Sequence, residues 1–209
     1  MSETPVYAVF ADPEKCKGCR KCELACIAAH NNFTLKEAVK ERKNFEPCVH
    51  VIKTATVKVP IQCRQCEDAP CARVCPLEAL QQRENGEIVM RTEYCAGCGL
   101  CVMSCPYGAI SLSCVRASEE ELASLGRAAP RRIAVRCDLC REWRAREGKE
   151  LTACMEACPA GVFAFTLAKE YHKALSAGVL PRGVLSDCQV EVLAVPPSSA
   201  AALPAEKGA

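Results

Sequence analysis

Aromatic residues make up only 5 % of this sequence, and tryptophan occurs once, at Trp143. Aromatic side chains ordinarily supply much of a core's buried area, so the polypeptide core is expected to be thin. Histidine is as scarce: His30, His50 and His172 are the only three. No glycine-rich phosphate loop is present, which argues against nucleotide chemistry. No apolar run is long enough to cross a bilayer. The Met1–Tyr7 segment has neither a basic nor an apolar stretch of the export type. The expectation is a cytoplasmic chain with reduced thiols, reaching a membrane only through a partner.

Cysteine, by contrast, accounts for 19 of 209 residues. Such a density implies a disulfide scaffold or a metal protein, and in a reducing compartment it implies metal. Group one is Cys16, Cys19, Cys22 and Cys26, spaced C-x2-C-x2-C-x3-C. Group two is Cys63, Cys66, Cys71 and Cys75, spaced C-x2-C-x4-C-x3-C and followed by Pro76. Group three is Cys95, Cys98, Cys101 and Cys105, with the spacing of group one and then Pro106. Group four is Cys137, Cys140, Cys154 and Cys158, spaced C-x2-C-x13-C-x3-C and followed by Pro159. Cys48, Cys114 and Cys188 stand outside this repeat.

In C-x2-C-x2-C the chain turns tightly and presents three thiolates to one small inorganic core. Gly18, Gly97 and Gly99 relieve the turn where φ must be positive. The fourth cysteine, four residues past the third, lies on the same helical face about 6 Å farther along the axis. That position suits a second cubane better than the first, as in bacterial two-cluster ferredoxins. Proline after it removes an N–H and turns the chain away; group one has Ile27 there, so its helix is expected to continue. Zinc is the competing metal, but it prefers paired C-x2-C knuckles and leaves the recurring x3 spacing without a reason. The donor pattern therefore points to four [4Fe–4S] clusters. The formal charge of +2 would then fall to about −6 when each oxidised site carries about −2, which disfavours nucleic acid. Since metal binding and folding share one free energy, the metal-free chain should be poorly folded.

Short strands are expected at Tyr7–Phe10, Val49–Thr54, Ile88–Arg91, Ala109–Leu112, Ile133–Arg136 and Val162–Phe165. Short helices should carry the third and fourth cysteines, the longest at Glu23–His30. Residues 116–132 read as a surface insertion, Leu167–Leu180 as a terminal helix, and the stretch from Pro196 as a disordered tail.

The runs Cys63-Arg-Gln-Cys-Glu-Asp-Ala-Pro-Cys-Ala-Arg-Val-Cys-Pro, Cys95-Ala-Gly-Cys-Gly-Leu-Cys-Val-Met-Ser-Cys-Pro-Tyr-Gly-Ala-Ile and Ala134-Val-Arg-Cys-Asp-Leu-Cys resemble the four-cluster ferredoxin-like electron-transfer subunits. That family includes the beta subunit of dimethyl sulfoxide reductase, the small iron–sulfur subunits of formate hydrogenlyase and the ferredoxin-like partner of nickel carbon monoxide dehydrogenase. Cys22-Glu-Leu-Ala-Cys-Ile-Ala-Ala-His30, followed by Leu35-Lys-Glu-Ala-Val, is most similar to the last of these. The resemblance implies an α+β fold of nested bacterial-ferredoxin-like modules. The outer module would comprise 1–55 and 130–170, the inner one 56–115, with a C-terminal helix and tail at 171–209.

It also implies an exchange of fourth ligands. Cys63, Cys66, Cys71 and Cys105 would hold one cluster, and Cys95, Cys98, Cys101 and Cys75 the next. Cys16, Cys19, Cys22 and Cys158 would hold a third, and Cys137, Cys140, Cys154 and Cys26 the fourth. Pairing in chain order is the alternative.

Cys48 and Cys114 are read as small buried apolar residues, and His30 and His50 as capping or surface histidines. The run Arg131, Arg132, Arg136, Arg141, Arg144 and Arg146 reads equally as a solvated face or as a source of positive field. With complete ligand sets and no C-x3-C-x2-C radical motif, the expected function is an electron carrier of anaerobic metabolism without its own substrate. Its partner would be a catalytic redox enzyme, carbon monoxide dehydrogenase first, then a formate dehydrogenase, hydrogenase or molybdopterin oxidoreductase. The rival classes are an enzyme with a catalytic cluster and a zinc-stabilised interaction module.

Overall fold

The structure is a computed structural model that describes residues 5–114 and 132–177. The expected insertion, except Arg132, and the tail with Cys188 lie outside these residues. The described chain is α+β, built on four two-stranded antiparallel sheets.

The first sheet joins the two ends. Strand β1 (Tyr7–Ala11) pairs with β8 (Phe163–Leu167), Tyr7 opposite Leu167 and Ala11 opposite Phe163. The other sheets are local: β2 (Val49–Lys53) with β3 (Lys58–Gln62), β4 (Leu80–Gln82) with β5 (Ile88–Met90), and β6 (Ser111–Cys114) with β7 (Arg132–Val135). Strand β3 carries Pro60 opposite Val51, a residue that hides a strand from sequence reading and is tolerated because a two-stranded sheet has only edges. Strand β6 starts two residues later than expected, because the Ala109 N–H is directed to Cys105 Sγ (3.4 Å) instead of a ladder partner.

The helices are α1 (Lys21–Asn31), α2 (Leu35–Glu41), α3 (Pro70–Arg73), α4 (Leu100–Ser104), α5 (Arg141–Glu147), α6 (Ala153–Glu156) and α7 (Ala168–Ser176). Helices α1, α3, α4 and α6 each carry the third cysteine of a group. The fourth cysteine is helical only in group one, which corrects the expectation for the others. Cys105 closes α4 in an extended conformation (φ −76°, ψ 114°), as a residue before proline must. Ile27 imposes no such stop, so α1 runs on through Cys26 for 11 residues. The terminal helix begins at Ala168, not Leu167, since Leu167 still pairs in β8.

The core is divided, and cysteines sit within both main parts. Val9, Val49, Val51, Val162 and Phe163 surround Cys22, Cys26, Cys63, Cys137 and Cys154. Ala69, Ala79, Leu80, Ile88 and Ile110 surround Cys71, Cys95 and Cys101, with no aromatic among them. Phe10 and Tyr171 pack a smaller group under α7, and Ile27, Ala38 and Phe45 another between α1 and α2.

Candidate metal centres

One backbone device recurs in all four cysteine loops. The residue before the second cysteine has positive φ: Gly18 at 67°, Gln65 at 49°, Gly97 at 70° and Leu139 at 61°. This left-handed residue folds the loop back on its first sulfur, and the Gly18 N–H reaches Cys16 Sγ at 3.4 Å. Glycine is mandatory at position 97, where a Cβ would lie 2.2 Å from the Arg132 carbonyl oxygen. Arg20 and Gly99 repeat the turn at the N-caps of α1 and α4.

The fold brings cysteines of different groups together. Cys16, Cys19 and Cys22 line one cavity with Cys158. Cys95, Cys98 and Cys101 line another with Cys75. Burial raises Cys66, and the neighbouring Cys63 and Cys105 raise it further. Cys71 is pushed up to about 11 by burial first and then by Cys63, with Cys105 and Cys66 adding to it. Cys137 is held well above the usual thiol range by burial, then by Cys154, with Cys26 contributing. Burial raises Cys140 strongly as well, with Cys26 and Cys137 adding to it. Cysteines of different groups thus lie beside one another, and Cys154 also raises Cys22, so two of these neighbourhoods adjoin.

These surroundings fit a metal–sulfur core. Burial pushes Cys22 up to about 12 and Cys154 to about 11. Thiols of this kind stay protonated at neutral pH, and coordination to metal replaces the proton without leaving a bare buried charge. Cysteine-only surroundings of this kind are suited to [4Fe–4S] clusters, and N–H donors to sulfur are the usual means of tuning them. The Cys48 N–H donates to Cys26 Sγ at 3.2 Å, and the Ala134 N–H to Cys95 Sγ at 3.4 Å.

Several residues have surroundings the sequence did not disclose. Cys48 is buried, as expected, but its sulfur lies 4.0 Å from His30 Nε2, so it is more than apolar filling. His30 is no simple cap. Its Nδ1 donates to the Cys26 carbonyl at 2.8 Å, and its Nε2 donates to Asp138 Oδ1 at 2.9 Å. Burial opposes protonation, but Asp138 and Cys26 outweigh it and hold His30 well above its ordinary range. Cys26 is lowered, chiefly by its hydrogen bond with Cys48. His50 sits on β2 opposite Ile61, and Cys114 is exposed, not buried. The arginine run is not one solvated face: Arg136 and Arg144 are buried, and Arg144 lies over the Phe165 ring at 5.5 Å.

The family described as 4Fe-4S dicluster domain matches residues 54–168, more than half of the chain. The chain belongs to this family. Relatives agree over a longer stretch. An iron-sulfur protein of Rhodospirillum rubrum is 40 % identical over 152 residues, 72 % of this chain and 77 % of the relative. The electron transport protein HydN of Escherichia coli (strain K12) is 41 % identical over 152 residues, covering 72 % and 82 %. Hydrogenase-4 component A of the same strain is 34 % identical over 173 residues, covering 72 % and 78 %. The chain is therefore an iron–sulfur protein related to electron-transport proteins. Among the described residues no helix is long and apolar enough to cross a membrane.

Proposed function

We propose that this protein is an electron relay that holds four [4Fe–4S] clusters and has no substrate of its own. The observation supporting the reading is that Cys158 and Cys75 each share a cavity with three cysteines of another group, while Cys105 lies beside Cys71 and Cys26 beside Cys137. The proposed ligand sets are Cys16, Cys19, Cys22 and Cys158; Cys26, Cys137, Cys140 and Cys154; Cys63, Cys66, Cys71 and Cys105; and Cys75, Cys95, Cys98 and Cys101. A bound cluster of this type supplies one-electron chemistry without forming a bond to substrate. The first two sets define an outer module, closed by the β1–β8 pairing, and the last two an inner one. Cys19 and Cys98 are the exposed ligands, so the sets containing them are the two that reach redox partners.

One partner is a catalytic redox enzyme, and the other is a second enzyme or a soluble acceptor. Nickel carbon monoxide dehydrogenase is the favoured enzyme, on the likeness of the Cys22–His30 segment and Leu35–Val39. A hydrogenase is the second reading, supported by the relative named hydrogenase-4 component A.

Anaerobically prepared protein should contain about sixteen irons and sixteen sulfides per chain. A well-folded preparation that levels off near eight irons would refute the four-cluster reading. Cys26→Ser should damage the cluster of Cys137, Cys140 and Cys154; damage confined to that of Cys16, Cys19 and Cys22 would refute the exchange. The chain should accept electrons from its partner under substrate and turn over none alone.

A further inference from the structure

Arg136 immediately precedes Cys137, after β7, and its guanidinium points into the protein, 8 % exposed. Its Nη1 donates to the Cys137 carbonyl oxygen at 2.8 Å and to Cys63 Sγ at 3.5 Å. The carbonyl belongs to a residue of one cysteine set and the sulfur to another. Its Nε has no hydrogen-bond partner among the described residues. No carboxylate there lies within ion-pair distance of it. Asp138, within electrostatic reach, is already committed to His30 and to the Cys140 N–H.

A buried guanidinium without a carboxylate is costly unless some other anion faces it. The group in contact with Arg136 that can carry negative charge is the Cys63 sulfur, and Cys71 of the same set lies within its electrostatic reach. Arg64, in the same cysteine loop, is placed differently. Its guanidinium lies over the rings of Tyr107 at 4.9 Å, Tyr171 at 5.4 Å and Phe10 at 5.7 Å.

We propose that Arg136 is a positioning residue that raises the reduction potential of the cluster held by Cys63, Cys66, Cys71 and Cys105, at the junction with the Cys26, Cys137, Cys140 and Cys154 set. This inference rests on the four-cluster reading. An electron added at the Cys63 set adds negative charge beside a fixed, poorly screened cation, and that favours the reduced form. The same cation also links the two sets through the Cys137 carbonyl.

The test is an EPR-monitored redox titration of the intact holoprotein and its Arg136→Gln and Arg136→Lys variants, with iron and sulfide counted in each. Arg136→Gln should lower one couple by at least tenfold in its reduction equilibrium constant, about 59 mV for one electron. That couple should be the one that Cys71→Ser perturbs, and Arg136→Lys should restore most of the shift. Unchanged couples in Arg136→Gln at full iron content would overturn the proposal. Equal shifts in the two variants would also overturn it, by assigning the effect to packing instead of charge. Loss of iron from both would overturn it by making Arg136 purely structural. A native count near eight irons would instead defeat the four-cluster reading beneath it.

Discussion

Groups one and three have the same cysteine spacing, yet they are built into different structures. In group one the third and fourth cysteines share an 11-residue helix, and Cys26 is buried within it. In group three the helix lasts five residues and Cys105 already lies outside it. The difference follows from one residue, Ile27 against Pro106. Spacing fixes where the sulfurs go, and the next residue fixes how much polypeptide is ordered around them. The consequence extends to packing. Helix α1 has length enough to bury Ile27 with Ala38 and Phe45, and to place His30 against Asp138. The core around group three contains small and aliphatic residues only, apart from its cysteines.

The largest expected effect comes from removing the metal. Without the sulfur-bound cores the inner cluster of Leu80, Ile88 and Ile110 has too little apolar area to offset chain entropy, so residues 63–110 should lose protection completely. The α1–α2 segment has its own aromatic contact, Phe33 to Phe45 at 5.5 Å, and should keep residual helix. Hydrogen exchange on chelated protein decides the matter. Slow amides at Ile88–Met90 in the metal-free chain would remove the contrast between the halves.

Exchanging the residue after the fourth cysteine tests the cause directly. Ile27→Pro should destabilise the protein by about 3 kcal/mol or more, because it breaks α1 in its middle. Pro106→Ile should cost less than about 1 kcal/mol, since Cys105 is already beyond its helix. Urea unfolding of the two holoproteins provides the comparison, and equal costs would mean that the proline is not what separates the groups. The glycines sharpen it further. Gly18→Ala should cost roughly 1–2 kcal/mol, from a left-handed alanine whose Cβ meets only flexible lysine side chains, Lys58 at 3.2 Å and Lys53 at 3.6 Å. Gly97→Ala should cost more and reduce iron content, because the Arg132 backbone cannot yield as a lysine side chain can.

The sequence disclosed the cysteine loops well because their chemistry is local: spacing, glycine and proline all act within about ten residues. It disclosed α1 for the same reason. It hid β3 behind Pro60 and β4 behind Gln81 and Gln82, whose strand character depends only on their hairpin partners. The surroundings of Cys26 were invisible for a different reason. Asp138 lies 108 positions from His30, and Arg136 lies 73 from Cys63. A lone arginine in a basic run carries no sign of which sulfur it will face. Helix α2 is marked in the sequence as well, for Thr34 and Glu37 form an S/T-x-x-E capping signal.

That cap supports the smallest of the expected effects, and one confined to the half that group three lacks. Thr34 Oγ1 accepts from the Glu37 N–H at 3.3 Å, and Glu37 Oε2 accepts from the Thr34 N–H at 2.8 Å. Thr34→Ala removes one of these bonds and should cost about 1 kcal/mol. The Thr34 N–H and hydroxyl hold the Glu37 carboxyl below its usual range. A depressed carboxyl contributes stability above its unfolded pKa and loses it as pH falls through its folded pKa. Any stabilisation by Glu37 should therefore be present at neutral pH and fade under acid, and Glu37→Gln should flatten that dependence. The cysteine sets lie outside α2, so iron content and visible absorption should be unchanged in both variants. Hydrogen exchange should speed up at Ala38 and Val39 and leave Ile88–Met90 untouched. If Thr34→Ala instead lowered iron content, α2 would be coupled to Cys26 through Ile27, and the two halves would differ less in how they hold metal than their helices imply.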